Sequence, residues 1–136
     1  MSARSKARKA ALDLLYEGDI RKTSAINILN QRSGDLEYVI REFTKELVQG
    51  VDENRRKIDE LITTYSQGWD MDRMPVIDRN ILRLAIYEIL WSKDVPSAVA
   101  IDEAIELAQT LSTDDSSKYI NGVLSKIIEI KADLVF

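Results

Sequence analysis

Apolar residues along this chain recur every three or four positions, the spacing that places them on one face of an α-helix. Strand signals are nearly absent, because the one Asn-Gly pair, at 121–122, lies inside a helical repeat and not between two alternating runs. The pattern predicts six or seven helices. They cover about 5–17, 24–32, 36–65, 76–91, 98–111 and a last segment that ends near 131.

Glycine, proline and capping residues predict where these helices end. Gly50 lies inside the long third segment, so either a kink or a division into two helices is expected there. Pro75 suits the first turn of the next helix, and Pro96 marks another break. The Ser, Thr and Asp residues of 112–117 are N-cap candidates for the last helix.

The helix predicted over 76–91 is apolar on most sides and should therefore be central. Its only clearly polar strip contains Arg79, Asn80 and Arg83. Glu88 falls inside the apolar arc, so a hydrogen-bonded or ionic partner is expected for it. The predicted fold is all-α, with about seven helices in two small bundles around this helix. A single domain over 1–136 would contain subdomains of about 1–66 and 67–136.

Composition favours a globular chain, with 45% apolar and 31% charged residues. No apolar run approaches the length that crosses a bilayer, and no apolar signal-peptide core follows the basic start. Cysteine is absent, which suits a reducing compartment. A cytoplasmic location without a membrane is therefore expected.

The residue inventory argues against an enzyme. The chain has no His and no Cys, the commonest general base and the strongest nucleophile. Its five glycines are scattered and form no phosphate-binding loop. The paired acids at 102–103 and 114–115 are interpreted as solvated helix turns. No cofactor and no metal site are predicted.

The net charge of the chain is −4, yet its first nine residues hold four of the 19 basic side chains and no acidic one. Within the first helix, Arg8, Lys9, Leu12 and Tyr16 form a strip beside the predicted core face. One interpretation is a basic terminus whose Leu12 and Tyr16 pack on another helix. The other is a recognition surface, since cations attract phosphates and aromatic rings stack on unpaired bases.

The last helix presents a comparable polar face. Lys118, Asn121, Gly122 and Ser125 lie opposite its apolar residues, and Tyr119 lies at the margin. A mid-helix glycine costs about 1 kcal/mol relative to alanine. Close packing of another backbone is the favoured explanation for Gly122, and close approach of a ligand is the alternative.

Five segments together resemble the NusB family of transcription antitermination factors. They occur in the family's order and spacing and cover nearly the whole chain. The segments are ARSKARKAALDLLY (3–16), GVDENRRKIDELI (50–62), DRNILRLAIYEIL (78–90), VPSAVAIDEAIELAQ (95–109) and DDSSKYINGVLSKI (114–127).

The resemblance implies an all-helical, non-catalytic protein that binds the boxA element of nascent ribosomal RNA as a single strand. It also implies a heterodimer with the ribosomal protein NusE inside an RNA polymerase antitermination complex, and leaves a homodimer open. Two alternatives remain. One is a helical protein-interaction module without specific RNA binding, and the other is an RNA-binding appendage of the kind attached to rRNA methyltransferases.

The resemblance also implies which residues bind. The family's Arg-rich motif falls on Arg4, Lys6, Arg8 and Lys9, although family members often carry Arg where Ser5 and Lys6 stand. A second RNA-proximal region falls on Asp115, Lys118 and Tyr119, where Phe is usual at the last position. The residues implied for the protein partner are Leu12, Tyr16, Asp78 and Arg83, together with Ile20 and Tyr87.

Overall fold

The computed structural model describes residues 2–35, 37 and 39–134. This part of the chain forms helices and contains no strand, which confirms the all-α prediction. The α-helices are α1 (Ala3–Arg21), α2 (Ala25–Ser33), α3 (Glu42–Glu53), α4 (Arg55–Tyr65), α5 (Val76–Trp91), α6 (Ser97–Leu111) and α7 (Asp114–Ile130), and Met71–Arg73 and Lys131–Asp133 are short 3-10 helices.

Side-chain caps begin three of the helices. The hydroxyls of Ser2, Ser24 and Thr113 accept hydrogen bonds from backbone N–H groups three residues later, at 3.0 to 3.1 Å. Each bond satisfies a backbone donor that has no partner within the helix. The predicted cap of the last helix is therefore confirmed at Thr113.

The predicted helix over 36–65 is two helices, and positions 36 and 38 lie outside the described residues. The division falls at Asn54 and not at Gly50, because the Asn54 side chain donates to the Gly50 carbonyl at 2.8 Å. Gly50 has a packing role instead. A Cβ there would lie 2.1 Å from ring carbons of Tyr87, so the glycine leaves the space that the Tyr87 ring occupies against α3.

Helix α5 is central, as predicted, since α1, α3, α4, α6 and α7 all pack against it. Its buried apolar residues are Ile81, Leu82, Leu84, Ala85, Ile86 and Ile89. The proposed division into subdomains near residue 66 stays a prediction. None of the helices in the described part of the chain is both long and apolar enough to cross a membrane.

The polar strip of α5 is a buried network centred on Asp19 of α1. The Asp19 carboxylate accepts hydrogen bonds from Arg55, Arg79, Asn80 and Arg83 at 2.8 to 3.0 Å. Asn80 is fully buried, and Arg83 is 5% exposed. This network ties the C-terminal part of α1 to α4 and α5.

The pKa of Asp19 reflects this network. Burial alone would raise it, but the hydrogen bond from Asn80 and the charges of Arg83 and Arg79 outweigh burial and lower the pKa from 3.8 to about 2. A lowered folded-state pKa stabilises the protein above the unfolded-state value, and this stabilisation is lost as the pH falls from about 4 to about 2.

We expect the free energy of unfolding to fall between pH 6 and pH 3, and the protonation of Asp19 to account for about 1 kcal/mol of that fall. Asp19→Asn should show a smaller pH-dependent loss than the native chain, by about that amount, in urea unfolding followed by circular dichroism. Asp102→Asn is the control, since Asp102 is exposed. An equal loss of unfolding free energy in the native chain and the Asp19 variant would contradict the lowered pKa of Asp19.

Candidate functional site

The cations at the start of α1 divide into buried and exposed side chains. Arg4 is exposed and lies over the Phe43 ring, 4.6 Å from its centroid. Lys6 is exposed and makes no ion pair with any described residue. Lys9 is half-buried and pairs with Asp13 at 2.7 Å. A cationic surface therefore remains, although it is smaller than the sequence predicts.

Arg8 is not part of that surface, because it is only 2% exposed. Its Nε and Nη2 donate to the two carboxylate oxygens of Glu88 at 2.8 and 2.9 Å, and its Nη1 lies 3.4 Å from Glu103. The ionic partner expected for Glu88 is thereby confirmed. The interpretation of Arg8 as a solvent-facing cation is wrong, because the carboxylate inside the apolar arc of α5 draws it inward.

The exposed side of α1 brings several predicted residues together. At 100° per residue, Lys6, Lys9, Asp13, Tyr16 and Ile20 fall within an arc of roughly 80°. All five are exposed or half-buried, with Tyr16 41% and Ile20 55% exposed. One helix face therefore runs from lysines at its start to apolar side chains near its end.

Four of the six residues predicted for a protein partner, including Tyr87 at 9% exposure, are buried. Leu12 is fully buried in the core. Asp78 is 1% exposed because it accepts hydrogen bonds from Ser112 and Ser116 at 2.7 and 2.6 Å, which fixes the start of α7. Arg83 belongs to the Asp19 network. Leu12, Asp78 and Arg83 therefore present little surface for a partner, and the hydrogen bonds of Asp78 and Arg83 hold neighbouring helices together.

Tyr16 lies at a groove that the sequence did not reveal. The groove has a volume of about 410 Å³ and lies between α1 and the start of α5, with Ile77 and Leu111 on its walls. A second groove, of about 290 Å³, follows the seam of α1 and α6 past Ser5 and Lys9 and also reaches Leu111. The signal available in the sequence for this groove was a leucine directly before the cap of the last helix. That residue, Leu111, is 38% exposed.

The second predicted RNA-binding region lies at the start of α7. Asp115 and Lys118 are exposed, and Tyr119 is half-buried. The Tyr119 ring lies 5.3 Å from the ring of Trp69, which is 45% exposed. Trp69 falls between the helices predicted over 36–65 and 76–91, and the sequence gives it no role because a contact with a residue 50 positions away leaves no trace in local periodicity.

Gly122 lies exposed on the same helix, and a Cβ added to it would meet nothing within 4 Å. The explanation by close packing, favoured from the sequence, is therefore wrong. Its exposed neighbours are Lys118, Asn121 and Ser125. The glycine leaves this face open to close approach from outside.

The structure keeps the two predicted RNA-binding regions apart. Arg8 anchors the start of α1 at Glu88, and Ser116 anchors the start of α7 at Asp78. Glu88 and Asp78 are ten residues apart on α5, or about 15 Å. The groove along α1 and α6 runs between the two regions. In the described part of the chain, no group of three or more acidic side chains lies close enough to hold a metal ion.

Comparisons with known proteins agree on one family. The family model described as "NusB family" matches residues 5–129. The transcription antitermination protein NusB of Saccharopolyspora erythraea is 52% identical over 96% of this chain and 89% of its own length. NusB of T. maritima superposes with a TM-score of 0.82 at 35% identity, over 98% of this chain and 99% of that one.

A solved complex adds information on binding. A structure of the antitermination factors NusB and NusE with double-stranded RNA contains a chain that superposes with a TM-score of 0.80 at 25% identity. The match covers 93% of this chain and 96% of that one.

We expect Arg8→Ala to lower the free energy of unfolding by about 3 kcal/mol or more, because it leaves the Glu88 carboxylate buried without its partner. Lys6→Ala should change it by less than about 0.5 kcal/mol, since Lys6 is exposed. Urea denaturation followed by circular dichroism measures both. Similar small changes in the two variants would show that the Arg8–Glu88 pair is not a structural anchor.

Proposed function

Because this chain belongs to the NusB family of transcription antitermination factors, which are not enzymes, we propose that it binds boxA-type RNA of ribosomal transcripts as a single strand. We propose further that it does so with the ribosomal protein NusE, within an RNA polymerase antitermination complex. Transcripts are made in the cytoplasm of a bacterial cell, so this function implies a cytoplasmic location.

The observation that supports RNA binding best is the exposed face of α1. Lys6 and Lys9 stand on it near the terminus, and Arg4 extends from the first turn. Ammonium and guanidinium groups attract phosphates without reading their sequence. Arg8, by contrast, orients the helix from inside, so the RNA contacts fall to its exposed neighbours.

The start of α7 supplies a second element with different chemistry. Lys118 offers another cation, and the adjacent Tyr119 and Trp69 rings form an aromatic platform on which an unpaired base can stack. The Asp115 carboxylate can accept a hydrogen bond from a base amino group. The open face at Gly122 lets a sugar-phosphate backbone come close.

The apolar end of the α1 face is the proposed site for NusE. Tyr16 and Ile20 are exposed there, and the neighbouring groove adds Ile77 and Leu111. Exposed aromatic and aliphatic side chains beside a pocket are typical of the centre of a protein interface. RNA and protein partner would therefore contact one continuous helix face. Association of two copies of this chain would compete for that face, so a homodimer would be an RNA-free form.

We expect Lys6→Ala combined with Lys118→Ala to weaken binding of a boxA-like single strand and to make its salt dependence shallower. Removing one phosphate contact should reduce the log–log slope by about 0.7, so the pair should reduce it by about 1.4. Fluorescence anisotropy over a salt series measures the slope, and a duplex of the same sequence tests the preference for single strands.

Lys57→Ala combined with Lys131→Ala is the matched control, since it removes the same charge from exposed sites on α4 and just after α7. An equal change of slope in both double variants would mean that net charge, and not this interface, governs RNA binding.

We expect Tyr16→Ala combined with Ile20→Ala to weaken binding of purified NusE by about tenfold or more, because truncation removes two apolar side chains from one interface. Isothermal titration calorimetry measures the affinity. Val99→Ala, on an exposed valine of α6, is the control and should leave the affinity unchanged. Unchanged NusE binding by the double variant, with circular dichroism as in the native chain, would place the partner elsewhere.

A further inference from the structure

A third groove, of about 380 Å³, lies on α3 and plays no part in the function proposed above. We call it the α3 groove. It is lined by Glu42, Lys45, Glu46, Gln49, Gly50, Glu53 and Tyr87. Three of these seven residues are acidic and one is basic, and one tyrosine from α5 reaches the groove.

The acidic side chains of the α3 groove follow one face of the helix. Glu42, Glu46, Gly50 and Glu53 are spaced by four, four and three residues, so they align along α3. Lys45 pairs with Glu42 at 3.2 Å. Glu46 and Glu53 are exposed, and neither makes an ion pair with a described residue. The carboxylates of Glu46 and Glu53, two helical turns apart, are therefore available to bind a ligand.

Tyr87 gives the groove a second, independent feature. The side chain is only 9% exposed, lies against the Gly50 backbone and stacks on Trp91 at 6.3 Å between ring centroids. Its hydroxyl makes no hydrogen bond within the described part of the chain. The hydroxyl is not one of the fully buried polar atoms, so it is open to the groove, where it lies beside Gly50.

The charges that shift the pKa of the Tyr87 hydroxyl are those of glutamates, although Lys45 also lines the groove. Burial raises this pKa, and the charges of Glu46, Glu53 and Glu88 raise it further. The same charges would repel a phosphate and attract a cation. RNA is therefore an unsuitable ligand for this groove.

We propose that the α3 groove binds an arginine-rich segment of a partner protein. The guanidinium groups pair with the Glu46 and Glu53 carboxylates, and the Tyr87 oxygen accepts a hydrogen bond from one of them. Arginine fits better than lysine because its planar fork can engage a carboxylate and a neighbouring acceptor together. A second copy of this chain is a poorer ligand, since only Arg4 and Lys6 are exposed cations among the described residues near its terminus, and Arg4 already lies over the Phe43 ring. The proposal does not depend on RNA binding.

The test uses the full chain and a fluorescently labelled hexa-arginine peptide at about 50 mM salt, where contacts between exposed charges are weakly screened. We expect Glu46→Gln combined with Glu53→Gln to weaken peptide binding about tenfold. Tyr87→Phe, which removes only the hydroxyl, should weaken it about threefold. A hexa-lysine peptide should bind the native chain less tightly than hexa-arginine.

Glu60→Gln combined with Glu106→Gln is the matched control, because it removes the same charge from exposed sites outside the groove. If this control variant binds the hexa-arginine peptide within about twofold of the native affinity, the result supports a local site in the α3 groove. The proposal is overturned if both double variants weaken binding equally, or if the native chain does not bind the peptide. It is also overturned if sedimentation shows a dimer that only the groove variant dissociates, since a second copy is then the occupant.

Discussion

The surface of this protein depends on one buried ion pair, between Arg8 of α1 and Glu88 of α5. Both side chains are 2% exposed, and they meet through two hydrogen bonds. A buried charge without a partner is costly, so neither residue is tolerated alone. The pair therefore sets the rotation of α1 about its own axis. That rotation directs Leu12 into the core and Lys6, Lys9, Tyr16 and Ile20 toward solvent.

A second polar contact fixes the other end of the same helix. Asp19 meets Asn80 and Arg83 near the start of α5, whereas Arg8 meets Glu88 near its end, so α1 and α5 run antiparallel. Two clamps at opposite ends leave α1 little freedom to turn or slide. A rigid helix presents its exposed side chains in one arrangement, which lowers the entropic cost of binding. Arg8, a residue that the family resemblance implies for RNA binding, thus stabilises the fold, and its exposed neighbour Lys6 is a proposed RNA contact.

The exposed chemistry is divided among three surfaces. Lysines and an aromatic pair form the proposed RNA interface at the starts of α1 and α7, and apolar side chains near the end of α1 form the proposed NusE interface. The α3 groove carries acidic side chains instead. Such segregation of charge lets partners of opposite sign approach one small protein without competing for the same side chains. It also makes the proposed binding of an anionic polymer compatible with a net charge of −4.

The sequence by itself determined the all-helical fold, the central position of α5, the cap at Thr113 and the need of Glu88 for an ionic partner. These features follow from local periodicity, capping chemistry and the cost of burying a charge. The tertiary structure alone decided that Arg8 is that partner, that Asp78 and Arg83 are buried and that Gly122 is open. Each of these depends on a contact or a space between distant segments, as between residues 8 and 88. Helical spacing identifies the residues that share a face, but not which element that face will meet.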